Sequence, residues 1–267
     1  MRNESTIRPA AKLGVHRLTH QFAMAGEKSA LTVLRNIDLE IPAGKFVSLI
    51  GESGCGKSTL LRLMAGLIIP TGGEVRHDGV RVKGINPALG FVFQQDAVFP
   101  WLTVEKNVEY GPKARGLPRQ QRERLVTEWC ETVGLSKFRK AYPKHLSGGM
   151  RKRVDLARAY ANSPDVLLMD EPFGALDVQT KGKMQEAVLD LWQRTGKTVV
   201  FVTHDLEEAV FLSDLVVVLK SRPGEIHSIL PIEISRPRNE ETRLSNEFAA
   251  AKRMLWHEMQ SARKPRD

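Results

Sequence analysis

Gly51-Glu52-Ser53-Gly54-Cys55-Gly56-Lys57-Ser58 is the stretch on which the reading of this chain turns. It fits G-x-x-x-x-G-K-S, the pattern of a phosphate-binding turn or P-loop, without a mismatch. The flanks fit as well. Residues 46–50 are a short apolar strand, residues 58–65 have helical periodicity, and Gly66 supplies a stop. Glycines let the backbone wrap around phosphates with its N–H groups inward, and the helix N-terminus adds a favourable dipole. Lys57 offers a point charge to the β/γ-phosphates and Ser58 a hydroxyl to Mg²⁺. The turn implies a nucleotide without saying what the nucleotide is used for.

Working outward, residues 15–23 and 31–41 alternate enough to be strands of an N-terminal antiparallel sheet. Residues 90–94 form another strand, and residues 103–160 become helical and highly charged, as a separate helical subdomain would. Residues 166–169 and 198–203 are apolar, β-branched runs of the kind buried parallel strands need. Residues 181–194 between them make an amphipathic helix. Alternating strands and helices of this kind imply an α/β fold with a parallel sheet covered on both faces.

Composition excludes several classes. Hydrophobic residues are 42% and charged residues 27%, ordinary for a globular chain. The longest apolar runs, such as residues 215–219, have strand length, far below a membrane span. The polar first residues carry no signal-peptide core, so export is not expected. Two scattered cysteines, Cys55 and Cys130, make neither a metal cluster nor a disulfide framework, which suits a reducing compartment. The net charge of +9 suits nucleic acid or an anionic membrane surface equally. Its basic clusters (residues 113–124, 137–153 and 252–266) lack interleaved aromatics, so solvated faces and helix ends account for them better.

Asp170 and Glu171 follow the apolar run 166–169, at the strand end where open parallel sheets bind ligands. Alternation points the two side chains apart, so Asp170 can help hold Mg²⁺ while Glu171 polarises an attacking water. Solvated acids opening a turn are the plainer alternative. In Leu146-Ser147-Gly148-Gly149-Met150, Ser147 is a good N-cap, and Gly148 and Gly149 expose backbone N–H groups at a helix start. A second anion cradle makes sense if it serves the nucleotide of another chain, although a simple cap also fits. His204 follows the strand 198–203 and is either structural or a γ-phosphate contact.

The ordered set Gly51–Ser58, Gln94, Leu146–Met150, Asp170-Glu171, Ala175-Leu176-Asp177 and His204 resembles the ATP-binding cassette of ABC proteins, from about residue 15 to about residue 234. In family terms these are the Walker A, Q-loop, signature, Walker B, D-loop and switch-histidine motifs. The resemblance implies a P-loop NTPase (RecA-like) core with an N-terminal antiparallel β-subdomain and an inserted α-helical subdomain. It places the cassette at residues 13–235, the insertion at about 96–160, and a one-helix tail at 236–267. It implies ATP and Mg²⁺ as cofactors, with Thr59, Asp177 and the signature residues among the nucleotide contacts and Gln94 beside metal and water. Phe22 stands where the family stacks an aromatic on adenine, although a core strand Phe fits too. The resemblance further implies a head-to-tail homodimer, each ATP held between Lys57 of one chain and Ser147 of the other.

Two uses of such a motor differ in their marks. A soluble cassette acting on nucleic acid would carry a coiled-coil insert, zinc-binding cysteines or a second cassette, and none is in this sequence. Val98-Phe99-Pro100-Trp101-Leu102 instead offers an apolar stretch that a permease could enter. Residues 170–177, 203–209, 221–224 and Ser235-Arg236-Pro237-Arg238 are similar to bacterial importers of nitrate, sulfonate and taurine. Those importers work on the cytoplasmic face of the inner membrane with permease subunits and a periplasmic solute-binding protein. Lys152 and Asp155 depart from the commoner Gln and Ala, and their spacing suggests a solvent-facing i,i+3 ion pair. Cys55, beside Lys57 and a helix N-terminus, is expected to be a low-pKa thiol that alkylation reaches and MgATP protects. Residues 245–260 should form the tail helix, capped by Ser245, with Phe248, Leu255 and Met259 inward.

Overall fold

A computed structural model describes residues 11–23, 30–174 and 176–263. Residues 1–10, Ala175 and residues 264–267, all used in the sequence reading, lie outside the described residues. Strands β1 (Ala11–Ala23) and β2 (Ala30–Pro42) pair antiparallel. Strand β3 (Phe46–Gly51) leads into helix α1 (Lys57–Met64). Strands β4 (Gly72–His77) and β5 (Val80–Arg81) complete a four-stranded antiparallel sheet in the order β2-β1-β4-β5. After β6 (Leu89–Val92) come the helices α2 (Val104–Ala114), α3 (Arg119–Thr132) and α4 (Gly148–Ala161), which pack on one another. The chain continues through β7 (Val166–Asp170), α5 (Val178–Thr195), β8 (Thr198–Val202) and α6 (Leu206–Leu212). It ends with β9 (Leu215–Lys220), β10 (Glu225–Pro231), α7 (Glu240–Arg243) and α8 (Asn246–Arg263).

The second sheet is six-stranded, ordered β10-β9-β3-β8-β7-β6, with every neighbouring pair parallel except β10 with β9. Its central strands are apolar throughout because both faces are covered. Phe46 and Ile50 of β3, Leu167 and Met169 of β7, and Val199 and Phe201 of β8 face the helical core. Val47 and Leu49, Val166 and Leu168, and Val200 and Val202 face α1 and the antiparallel sheet. Each such aliphatic side chain contributes about 1.5–3 kcal/mol by leaving water, which makes this double core the main stabilising element. Lys12 ties the layers together at the edge, its ammonium 2.6 Å from Asp78 and 3.0 Å from Asp165.

Several elements differ from the sequence reading. The tail holds the short α7 before α8, so it is not one helix. The cap on α8 is as expected, with the Phe248 N–H donating to Ser245 Oγ at 3.1 Å, and Phe248 and Leu255 are buried. Helix α5 begins at Val178 because Asp177 caps it, accepting from the Thr180 N–H at 3.0 Å. Among the described residues no helix is long and apolar enough to cross a membrane.

Candidate functional site

At the end of β3 the backbone leaves no room for a side chain at two of its glycines. A Cβ on Gly51 would lie 2.7 Å from both Cys55 Sγ and the Leu219 carbonyl. Gly56 has φ +98°, and a Cβ there would meet Leu34 at 2.7 Å. Gly56 also sits at the N-cap of α1 without a side-chain cap, leaving the first-turn N–H groups to an anion. Lys57 is buried across this turn, its Nζ donating to the Gly51 and Glu52 carbonyls at 2.8 and 2.9 Å. Gly54 has φ +79°, Ser53 is exposed, and Thr59 is half-buried in the first turn of α1. The Glu52 carboxylate points away from the turn, accepting from Ser221 Oγ at 3.2 Å and pairing with Arg263 at 2.7 Å.

Cys55 overturns one expectation. Its thiol is fully buried, and burial pushes its pKa up; the Lys57 charge acts in the lowering direction but is the smaller effect. A reactive, readily alkylated thiol is therefore not what the fold builds here.

The carboxylates sit at the strand ends as the apolar run implies. Ser58 Oγ donates to Asp170 Oδ1 at 2.7 Å, which joins the turn to β7. Asp170 is 1% exposed, and its nearest ion pair, to Arg62, spans 4.0 Å. Burial raises its carboxyl above the usual range, although Ser58 and Arg62 both pull it down. A hydroxyl and an under-neutralised buried carboxylate form a hard, all-oxygen donor set that suits Mg²⁺. Glu171 adopts φ 41°, a left-handed conformation costing about 1–3 kcal/mol for such a residue. Hydrogen bonds from its N–H to the Val202 carbonyl (3.0 Å) and from the Gly174 N–H to its own carbonyl (3.3 Å) hold it there.

Gln94 and His204 converge on that residue. Gln94 Nε2 donates to Glu171 Oε2 at 3.3 Å, and His204 Nδ1 lies 3.3 Å from the same oxygen. The three side chains follow β6, β7 and β8, neighbours in the sheet, at the end where ligands bind. A cleft of about 620 Å³ opens beside them, lined by Gln94, Gly148, Arg151, Lys152, Glu171 and His204 among others. Glu171 can take a proton from a water in that cleft.

Other sequence-selected residues stand apart. Ser147 caps α4, accepting from the Met150 N–H at 3.3 Å, and Gly149 abuts Thr180 and Leu176. Among the described residues no hydrogen bond links residues 147–149 to residues 51–58. Asp177 has its carboxyl held below the usual range by Thr180. Phe22 is 44% exposed, edge-on to His20 at 4.6 Å, so it is not a core residue. It pairs with Leu31 on β2, about 10 Å along the strand from Leu34, which packs over Gly56.

Lys152 and Asp155 are not solvent-facing: they are 3% and 2% exposed, with Nζ and Oδ2 3.8 Å apart. The loop after β6 covers them. Lys152 donates to the Phe93 and Gln94 carbonyls at 2.9 and 3.3 Å, and Asp155 accepts from the Ala97 N–H at 3.0 Å. Arg158, 3.3 Å from Asp155, donates to the Ala97 carbonyl. Burial pushes the Lys152 pKa down and the Asp155 pKa up. Removing one member of a buried pair strands the other, so Asp155→Ala should cost about 3–5 kcal/mol in urea unfolding. Lys152→Gln combined with Asp155→Ala should recover only part of it, because Arg158 and the Ala97 N–H still lose their acceptor; a double variant no more stable than the single one would refute this pairing.

A P-loop joined through Ser58 to a strand-end Asp-Glu pair defines a P-loop nucleoside triphosphatase. The family model described as ABC transporter matches residues 34–174. The nitrate import ATP-binding protein NrtD of Synechocystis sp. is 50% identical over 217 residues, covering 81% of each chain. The taurine import ATP-binding protein TauB of Roseobacter denitrificans is 44% identical over 215 residues, covering 80% of each. Among solved structures, the dimeric post-hydrolysis state of the ATP-binding cassette MJ0796 bound to ADP and Pi superimposes with a TM-score of 0.73 at 33% identity. That match covers 84% of this chain and 100% of the other. This chain belongs to the ABC transporter family, as an ATP-binding and ATP-hydrolysing subunit. The alternative of a soluble cassette acting on nucleic acid is not favoured, since these relatives are named for import.

Proposed function

We propose that this chain drives uptake of a small anionic solute of the nitrate, sulfonate or taurine kind. It does so as a homodimer bound to permease subunits at the cytoplasmic face of the inner membrane, with a periplasmic solute-binding protein delivering the solute. The observation that carries the reading is the meeting of Gln94 and His204 on Glu171, beside the Ser58–Asp170 bond that closes the phosphate turn. The import names of the relatives support the solute class: nitrate and taurine both present a compact oxoanion.

In this reading residues 51–59 cradle the triphosphate, Lys57 neutralises it, and Phe22 stacks on the adenine. Ser58, Asp170 and Gln94 would hold Mg²⁺, which would draw charge from the phosphate oxygens. Glu171 takes the proton of the attacking water, His204 and Gln94 orient the carboxylate and the water, and Ser147, Gly148, Gly149 and Asp177 complete the partner's site. Residues 13–235 act as the cassette, with the helices of about 96–160 as the part that meets the permease.

The test is reconstitution in liposomes with the permease subunits and solute-binding protein of the same transport system. ATP-dependent uptake of labelled nitrate or taurine is expected, and Lys57→Ala should remove it. ATP hydrolysis unaccompanied by uptake of any oxoanion offered would overturn the solute assignment.

A further inference from the structure

Ser235-Arg236-Pro237-Arg238 takes no part in the phosphate site, yet its arginines are placed with care around α6. That seven-residue helix starts two residues after His204. Arg238 is 5% exposed, and its hydrogen-bond acceptors are all backbone carbonyls. It donates to Val210 at 2.8 Å, Phe211 at 3.2 Å and Ser213 at 2.8 Å, and across to Ile232 at 3.3 Å and Ile234 at 2.9 Å. The last carbonyls of a helix lack intrahelical donors and carry partial negative charge, so one guanidinium satisfies several at once. Arg236 adds a bond to the Leu212 carbonyl at 2.8 Å, pairs with Asp214 at 2.9 Å and stacks 4.2 Å over Trp192. The far end of α6 is thereby fixed.

The same segment reaches the near end through a relay. Arg243, stacked 3.7 Å over the Phe211 ring in the last turn of α6, donates to Gln185 Oε1 at 2.5 Å. Gln185 Nε2 donates to Glu208 Oε1 at 3.3 Å, and the Thr203 hydroxyl donates to Glu208 Oε2. The Asp205 N–H in turn donates to Thr203 Oγ1 at 3.0 Å. Lys181 Nζ completes the network at 2.7 Å from both Glu208 and Asp205. Thr203 and Asp205 flank His204. Gln185, Glu208 and Thr203 are buried, so bulk water cannot replace a lost partner and the network acts as a unit.

We propose that residues 236–243 are a positioning element for His204: they hold α6 at both ends and fix the backbone on either side of the histidine. The inference rests on His204 acting in turnover as proposed above. Docking of the tail alone would not need this network, because Phe248 and Leu255 already bury α8 in the core.

The test measures steady-state hydrolysis of MgATP by the full-length protein for Arg243→Gln, Thr203→Val and Thr203→Ser, with His204→Ala as reference. Coupling through such networks changes rates by about 2- to 30-fold, so Arg243→Gln and Thr203→Val should lower kcat within that range. KM should move less than about twofold, because the phosphate turn is untouched. Thr203→Ser keeps the hydroxyl and should restore most of kcat, which a loss of side-chain volume or of global stability would not allow. Wild-type kcat in Arg243→Gln and Thr203→Val beside an inactive His204→Ala would overturn the positioning role and leave His204 in place. A raised KM at unchanged kcat, or Thr203→Ser no better than Thr203→Val, would overturn it too. Wild-type turnover in His204→Ala would instead remove the reading on which the inference rests.

Discussion

Glu171→Gln should leave ATP binding intact while hydrolysis falls by about 10²–10⁴-fold, the range general-base catalysis supplies. The variant keeps the side chain's length and can still accept from Gln94, which bonds Glu171 Oε2 at 3.3 Å. What it loses is the ability to take a proton from water. Binding should survive because the N–H groups at the start of α1 and the Lys57 ammonium lie on another element, and the neighbouring Asp170 keeps its carboxylate and its bond from Ser58. On the proposed head-to-tail homodimer, ATP that is not cleaved should then hold two chains together. Phosphate release and size exclusion with ATP check the two halves of this expectation. A hydrolysis rate near wild type would take Glu171 out of its assigned role, and the strain at its φ of 41° would need another explanation.

How much of this was legible in the sequence follows from how far each signal travels along the chain. Gly51–Ser58 is contiguous, so its pattern carries both the turn and the strand and helix that flank it. Strands β3, β7 and β8 are buried on both faces and therefore spell themselves as unbroken apolar runs. β1 and β2 could be read only in part, because register shifts near residues 15–21 and left-handed residues at Arg17 and Asn36 break the alternation. β4, with the sequence Gly-Gly-Glu-Val-Arg-His, has little apolar content to announce it. Cys55 and Lys152 fail for one shared reason: burial by segments distant in sequence outweighs the local chemistry. A helix N-terminus and a neighbouring lysine make Cys55 look reactive until the core it shares with Leu34 and Leu219 buries it. An i,i+3 pair looks solvated until the loop at 93–97 covers it. The meeting of Gln94, Glu171 and His204 depends on strand order, β6 beside β7 beside β8, which no local pattern specifies.

Mixing two inactive chains should regenerate activity, and this outcome separates a shared site from a self-contained one. Ser147 caps α4 and no hydrogen bond ties it to the phosphate turn of its own chain among the described residues. If the cap served only local folding, Ser147→Arg would act through stability alone, at about 1 kcal/mol for a lost cap. If the α4 start faces a γ-phosphate held by another chain, a bulky cation there should block closure while nucleotide still binds to residues 51–58. Lys57→Ala disables the phosphate turn itself. In a dimer of one Ser147→Arg chain and one Lys57→Ala chain, one interface site combines both lesions. The other draws its intact Lys57 from the first chain and its intact Ser147 from the second. Random pairing of equal amounts across a two-fold interface makes half the dimers mixed, each with one working site, so recovery of roughly a quarter of the wild-type rate is the ceiling when single sites turn over independently. A self-contained site predicts no recovery at any ratio. Absence of recovery, with mixed dimers confirmed by crosslinking and both chains shown to be folded, would count against the shared site for this protein.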